Sequence, residues 1–250
     1  GDVKNTLALG GTATYTSMVV AGDADLELSG THALFSGSTI DADAAAGTVT
    51  LQIDRNTATT GATNMGAISG VDVVELRDST AGGDAAVVSS IANGTTIVLE
   101  DDFVTGSSIG VFGAAASSSD SITLKFDNRA STATDVDLAG TTTIDDIETI
   151  NIESVEAGST TSTNENSINS LAADKVTAIN ISGAARFSLT MAAEDQGIAV
   201  DGSGMTANLT VDLSNLTDAD QADSNTITGG SGNDTLTGST TEANTIAGGA

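Results

Sequence analysis

Residues 226–239 read TITGGSGNDTLTGS, where residues without a side chain alternate with residues that carry an oxygen, around a single carboxylate, Asp234. Bare glycine carbonyls and a carboxylate form a set of hard oxygen donors. Calcium takes such sets, with about six to eight oxygens in flexible geometry, whereas magnesium demands a tighter octahedron and keeps its waters. Gly229 to Thr237 satisfies every position of the nonapeptide G-G-x-G-x-D-x-U-x, in which U is a large aliphatic residue, here Leu236. In the flanking stretches NTIT (225–228) and NTIA (244–247), Ile227 stands nine residues before Leu236 and Ile246 ten after it. This register predicts the coils of a roll, with loops between them that hold several calcium ions. The candidate ligands are Asp234, the carbonyls of Gly230 and Gly232, and the amide oxygens of Asn225 and Asn244. On the N-terminal side the glycine pair is missing, and Asp218, Asp220 and Asp223 are offered instead. The ion site beyond Asp234 is therefore expected to be better formed than the one before it.

Catalytic arrangements are poorly supplied. GSSIG (106–110) fits the esterase pattern G-x-S-x-G, with Ser108 as nucleophile, but that pattern needs a strand–turn–helix and a histidine later in the chain. The one histidine, His32 in SGTHALFSG, precedes the serine and is expected at a strand end or in a loop. A zinc protease would need two histidines four residues apart. Carboxylates suffice for a glycosidase pair, yet only 2% of residues are aromatic, and sugar clefts stack rings on aromatic side chains. The expectation is a protein that is not an enzyme. The acidic runs LEDDF (99–103), IDADA (40–44) and IDDIE (144–148) read as solvated turns, with Asp101, Asp102, Asp145 and Asp146 as further calcium candidates.

Positioning such loops requires a scaffold, and the scaffold reads as strands. MVVAGDADLEL, TVTLQID, VDVVELRD, TTIVLEDDF, SITLKFD, TIDDIETINIES, VTAINISG and ANLTVDLSNL alternate apolar and polar residues between segments rich in Gly, Ser, Thr and Asn. The fold class is all-β. The segments 69–78, 143–154 and 173–183 share one form, and 207–218 is a looser relative, at irregular spacings of roughly 30 to 75 residues. Rungs of a parallel solenoid with coils of variable length produce this, as would strands of a β-sandwich; the tight C-terminal register favours the solenoid. The expected architecture is an elongated parallel β-solenoid or β-roll with irregular rungs.

Composition narrows the partners. The 250 residues include 34 acidic and 7 basic ones, a net charge of −27, with no cysteine, tryptophan or proline. Such a field repels nucleic acid and anionic lipid and attracts cations. No stretch has the length and apolarity of a membrane-spanning helix, so no direct membrane insertion is expected. A hydrophobic content of 39% argues against disorder. The chain opens on Gly1 and closes on GGA, where another glycine loop would begin, which reads as a piece of something longer.

At the nonapeptide the sequence resembles the RTX family, repeat proteins that fold as parallel β-rolls on binding calcium outside the cell. The resemblance covers roughly residues 219 to 250; Asn225 and Asn244 depart from it by standing where the family prefers aspartate. The Thr/Ser/Ala/Gly-rich body, with rungs such as IDDIETINIES and DKVTAINISG, resembles bacterial surface-layer proteins of the RTX-containing, type I-secreted kind found in Caulobacter. Residues 1–218 are thus expected to form an irregular β-rich surface-layer-type region and 219–250 a truncated RTX roll. The resemblance implies an extracellular, calcium-dependent structural subunit whose partner is its own kind, in a lattice or filament. It also implies attachment to cell-surface polysaccharide through parts of the parent chain outside these residues. The alternative is a segment of a large RTX adhesin, acting as a spacer or ligand-binding module.

Overall fold

The computed structural model describes residues 5–10, 15–54, 63–77, 85–103, 106–111, 117–127, 135–155, 165–217 and 224–249. Strands are numbered in chain order. An eleven-stranded sheet runs along the molecule through β1 (Asn5–Ala8), β3 (Leu26–Thr31), β5 (Val49–Asp54), β8 (Val73–Arg77), β10 (Thr96–Leu99), β12 (Ser121–Asp127), β14 (Thr149–Val155), β16 (Ala178–Gly183), β18 (Ala199–Met205), β20 (Ser224–Thr228) and β22 (Ala243–Ala247). Facing it are β6 (Thr63–Asn64), β9 (Val87–Ile91), β11 (Ser107–Val111), β13 (Asp137–Thr143), β15 (Glu165–Ala172), β17 (Arg186–Met191), β19 (Leu209–Asp212) and β21 (Thr235–Thr237). A third sheet of β2 (Met18–Gly22), β4 (Ile40–Ala45) and β7 (Ile68–Ser69) belongs to the first coils only. Neighbouring strands are parallel throughout, for example β12 with β14 and β15 with β17. The molecule is a parallel β-solenoid.

Its core is built from stacked aliphatic rows. Ile122, Ile150, Ile179, Val200 and Ile227 are register partners on five successive rungs, each at most 1% exposed. Leu51, Val74, Ile97, Leu124, Ile152 and Ile181 form a second row beside them. Branched side chains suit this pleated packing, and each such burial stabilises by about 1.5–3 kcal/mol. Phe126 of β12 and Phe187 of β17 link the two long sheets edge to face, with ring centroids 5.0 Å apart.

The segments that look alike in sequence are β8, β14 and β16, all in the eleven-stranded sheet. Their wide spacing spans several coils. Within this sheet, register partners on adjacent rungs lie from 19 residues apart (Ser224 and Ala243) to 29 (Thr149 and Ala178). The looser relative, 207–218, carries β19 of the facing sheet. Both sheets continue without a break into the C-terminal coils, since β20 pairs with β18 and β21 with β19.

One feature departs from the strand pattern. His32–Ser36 form a short helix, α1, preceded by Thr31 and closed by Gly37. His32 therefore begins a helix instead of ending a strand. Leu34 and Phe35 are buried, and His32 Nδ1 lies 2.8 Å from Thr63 Oγ1 of β6. The helix packs on β6, the end strand of the eight-stranded sheet, and covers an edge that would otherwise be open to pairing.

Between β13 and β14 the chain turns through Asp146, a non-glycine residue with φ of 60°. L-residues are strained there, and Asp146 also adds charge beside Asp145. Asp146→Gly should raise stability by about 1 kcal/mol, read as a higher urea midpoint. A lower midpoint would mean that the carboxylate stabilises the turn.

Candidate metal centre

The nonapeptide loop, 229–234, joins β20 to β21 and lies between the coil before it and the coil after it. Asp234 divides its carboxylate between two tasks. Oδ1 accepts the Leu209 N–H at 2.9 Å, which pins the loop to the preceding coil. Oδ2 is buried without any hydrogen-bond partner. A Cβ placed on Gly229 would collide with this oxygen and sit 2.7 Å from the Gly248 carbonyl oxygen. Both oxygens therefore border the space that glycine leaves open. Gly249 takes φ of 84°; a Cβ there would strike the Gly230 oxygen and lie 2.6 Å from that of Gly229. One carboxylate and one carbonyl oxygen from two adjacent coils thus meet beside Gly229, and both are donors of the hard kind that calcium takes.

Close approach, more than backbone freedom, explains the other glycines. Gly229, Gly230 and Gly232 lie outside the left-handed region. A Cβ on Gly230 would come within 2.8 Å of Met205 Cβ, and one on Gly232 within 2.7 Å of the Asn208 nitrogen. Gly232 thereby serves stacking on the preceding coil, while the Gly230 carbonyl turns toward Gly249.

The two asparagines make hydrogen bonds of their own. Asn225, fully buried, accepts the Ile198 N–H at 2.9 Å and donates to the Glu242 carboxylate. Asn244 accepts the Ser239 N–H at 3.0 Å and donates to the Ser239 and Glu242 carbonyls. They are register partners on β20 and β22, and their hydrogen bonds organise the corners beside those strands. Asp218, Asp220 and Asp223 lie outside the described residues. Gly229 and Gly248, absent from the candidate ligands, border the space around Asp234 Oδ2, and Gly249 lies against the Gly229 and Gly230 carbonyls; the doubled glycines at 229–230 and 248–249 carry that signal.

A second oxygen cluster joins residues far apart in sequence. Asp102, Asp135 and Asp137, all half-buried, bring carboxylate oxygens within 4.8 Å of one another. Asp102 accepts the Asp137 N–H at 2.9 Å, and the Ser167 hydroxyl donates to Asp137 at 2.6 Å. Of the three, sequence reading named Asp102 alone, because the others arrive one coil later. Burial raises the Asp102 carboxyl above its ordinary 3.8, with the charges of Asp137, Asp135 and Asp101 adding to it and the Asp137 N–H opposing. Burial likewise raises Asp137, reinforced by Asp135 and Glu165 against the Ser167 hydrogen bond.

Because these folded-state values lie above the unfolded ones, the folded chain binds more protons. The stability they contribute is complete below 3.8 and is lost as pH rises through the folded values. With calcium chelated, the urea midpoint should therefore rise as pH falls from about 7 toward about 4, and Asp137→Asn should flatten that slope. Asp201, lowered by its hydrogen bonds to Ser203, opposes the trend only below 3.8. A midpoint that falls over this interval would contradict the reading.

Ser108 sits within β11, on a strand and not on a strand-to-helix turn. Among the described residues no helix is long and apolar enough to cross a membrane. No known family pattern, curated protein or solved structure matches the chain.

Proposed function

We propose that the chain is a structural segment of a calcium-dependent bacterial surface layer, assembling with copies of itself into an extracellular lattice. The observation that carries this reading is the buried, unpartnered Oδ2 of Asp234 beside the Gly248 carbonyl. A buried carboxylate oxygen without a partner is costly, and a divalent cation shared with carbonyls of the next coil removes that cost. Ion binding would then be coupled to the folding of the last coils. The net charge of −27 adds the second element, a surface whose copies repel one another until cations neutralise or bridge it. In this reading the chain performs no catalysis and contacts neither nucleic acid nor the membrane interior; polysaccharide attachment would belong to other parts of the parent protein.

A second reading, a ligand-binding or spacer segment of an RTX adhesin, is favoured by one surface. Thr123, Asn151, Asn180 and Asp201 are register partners on four successive rungs, with Asn180 donating to Asn151 at 2.9 Å. Such a regular polar row could meet a repetitive ligand. Electron microscopy of the pure protein separates the two. A lattice subunit should give ordered sheets or filaments with calcium and dispersed particles with chelator, whereas dispersed particles under both conditions would hand the lead to the adhesin reading.

A further inference from the structure

Along the leading corner of the eleven-stranded sheet, the residue just before a strand is repeatedly acidic: Asp25, Asp72, Asp120 and Glu148. Two of these act as single caps. Asp25 accepts the Thr48 N–H at 2.7 Å and Asp72 the Val49 N–H at 2.8 Å, each tying one coil to its neighbour. Asp120 and Glu148 differ, because they stand side by side. The register Ser121 with Thr149 places them on adjacent rungs, about 4.8 Å apart along the stack.

One buried oxygen of the pair stands apart from its hydrogen bonds. Glu148 Oε2 accepts the Asp120 N–H at 2.7 Å. Asn93, one coil earlier, donates to Asp120 Oδ1 at 2.7 Å and accepts the Ser121 N–H at 2.8 Å. Asp120 itself is only 4% exposed, and its Oδ2 is buried with no hydrogen-bond partner. A charged oxygen removed from water and left unanswered is expensive, and a second carboxylate on the next rung makes it more so. A hard cation answers both at once, taking Asp120 Oδ2 and a Glu148 oxygen as ligands and completing its shell with water.

We propose that the Asp120–Glu148 corner is a calcium site separate from the glycine loop, built from side-chain carboxylates of two rungs and locking β12 to β14. It does not depend on the reading of Asp234. The test is isothermal titration of calcium chloride into the full chain, comparing wild type, Asp120→Asn, Asp234→Ala and the double variant. Asn at 120 keeps the oxygen that accepts from Asn93 while removing the charge and the free oxygen. Asp120→Asn should bind about one ion fewer than wild type, with a smaller calcium-induced rise in Tm. The double variant should lose that ion in addition to any lost through Asp234. An unchanged ion count in Asp120→Asn overturns the proposal. Should Asp120→Asn fail to fold, Glu148→Gln reads the same site, since its amide oxygen can still accept the Asp120 N–H; an unchanged count there overturns the proposal equally. If Asp234→Ala binds as many ions as wild type, the glycine-loop reading fails, and the Asp120 comparison against wild type still stands.

Discussion

Phe126→Ala should destabilise the chain by about 3–5 kcal/mol, read as a large drop in urea midpoint with the circular-dichroism signal of the folded state retained in water. Phe126 is fully buried on β12 and meets Phe187 of β17 edge to face. The rung row that holds it runs Ile53, Leu76, Leu99, Phe126 and then Ser154, so the ring closes an aliphatic column against a buried hydroxyl. Ser154 is held there by Asn166, which donates to it at 2.9 Å, and it donates onward to the Arg186 carbonyl. With five phenylalanines and one tyrosine in 250 residues, few large rings are at hand to refill the space. Each coil of a solenoid touches chiefly its neighbours, so the damage should be local. Amide exchange should accelerate first in β10, β12 and β14. A loss below about 1 kcal/mol would mean that the coils slide together to fill the cavity.

The second large effect belongs to calcium. Asp234→Ala should weaken calcium binding at the C-terminal coils by about tenfold or more, because it removes the one carboxylate of the loop. Gly229→Ala should do the same without removing any ligand side chain. Its methyl would occupy the space that Asp234 Oδ2 and the Gly248 oxygen border. Ser231→Ala, at an exposed position of the same loop, provides the control and should titrate as wild type. Wild-type binding by both Asp234→Ala and Gly229→Ala would reduce the loop to an ordinary turn.

How far the sequence foretold this molecule depended on which sheet a residue joined. Strands of the eleven-stranded sheet carry isoleucine, valine and leucine in alternation, as in TINIES and TVTLQID, and their period of two is plain. The facing sheet was largely hidden. DLAGTTT of β13 and ENSINSLA of β15 are rich in small and hydroxyl residues, and bulges break their pairing between Leu138 and Thr141 and between Ile168 and Leu171. Short-range alternation cannot mark such strands, because partners a coil away decide which of their residues turn inward. The repeat looked irregular for another reason: β10 and β12, two rungs of the same sheet, lie between β8 and β14 and do not share their sequence form. The helix at His32–Ser36 was overlooked for a related reason: five residues are too few for a helical period, although Thr31 and Gly37 bracket it as end signals.

The candidate site followed the same rule. Asp234 was legible because its glycines stand next to it in sequence. The partners of the asparagines were not legible, because their neighbours in sequence say nothing about corners; Asn225 is held by Ile198, one coil back, and by Glu242, one coil ahead. Asp135 and Asp137 escaped notice because their companion Asp102 is brought to them only by stacking.

Assembly switched by bound calcium, as opposed to screening by salt, is the centre of the account, and light scattering reads it directly. Exposed charges are screened equally well by any salt of the same ionic strength, whereas bridging requires the ion that fits the oxygens. Purified chain should scatter strongly at about low-millimolar calcium, stay monomeric in sodium chloride matched for ionic strength, and respond poorly to magnesium. Equal assembly in matched sodium chloride, or a chain that stays monomeric at every calcium concentration, would contradict it.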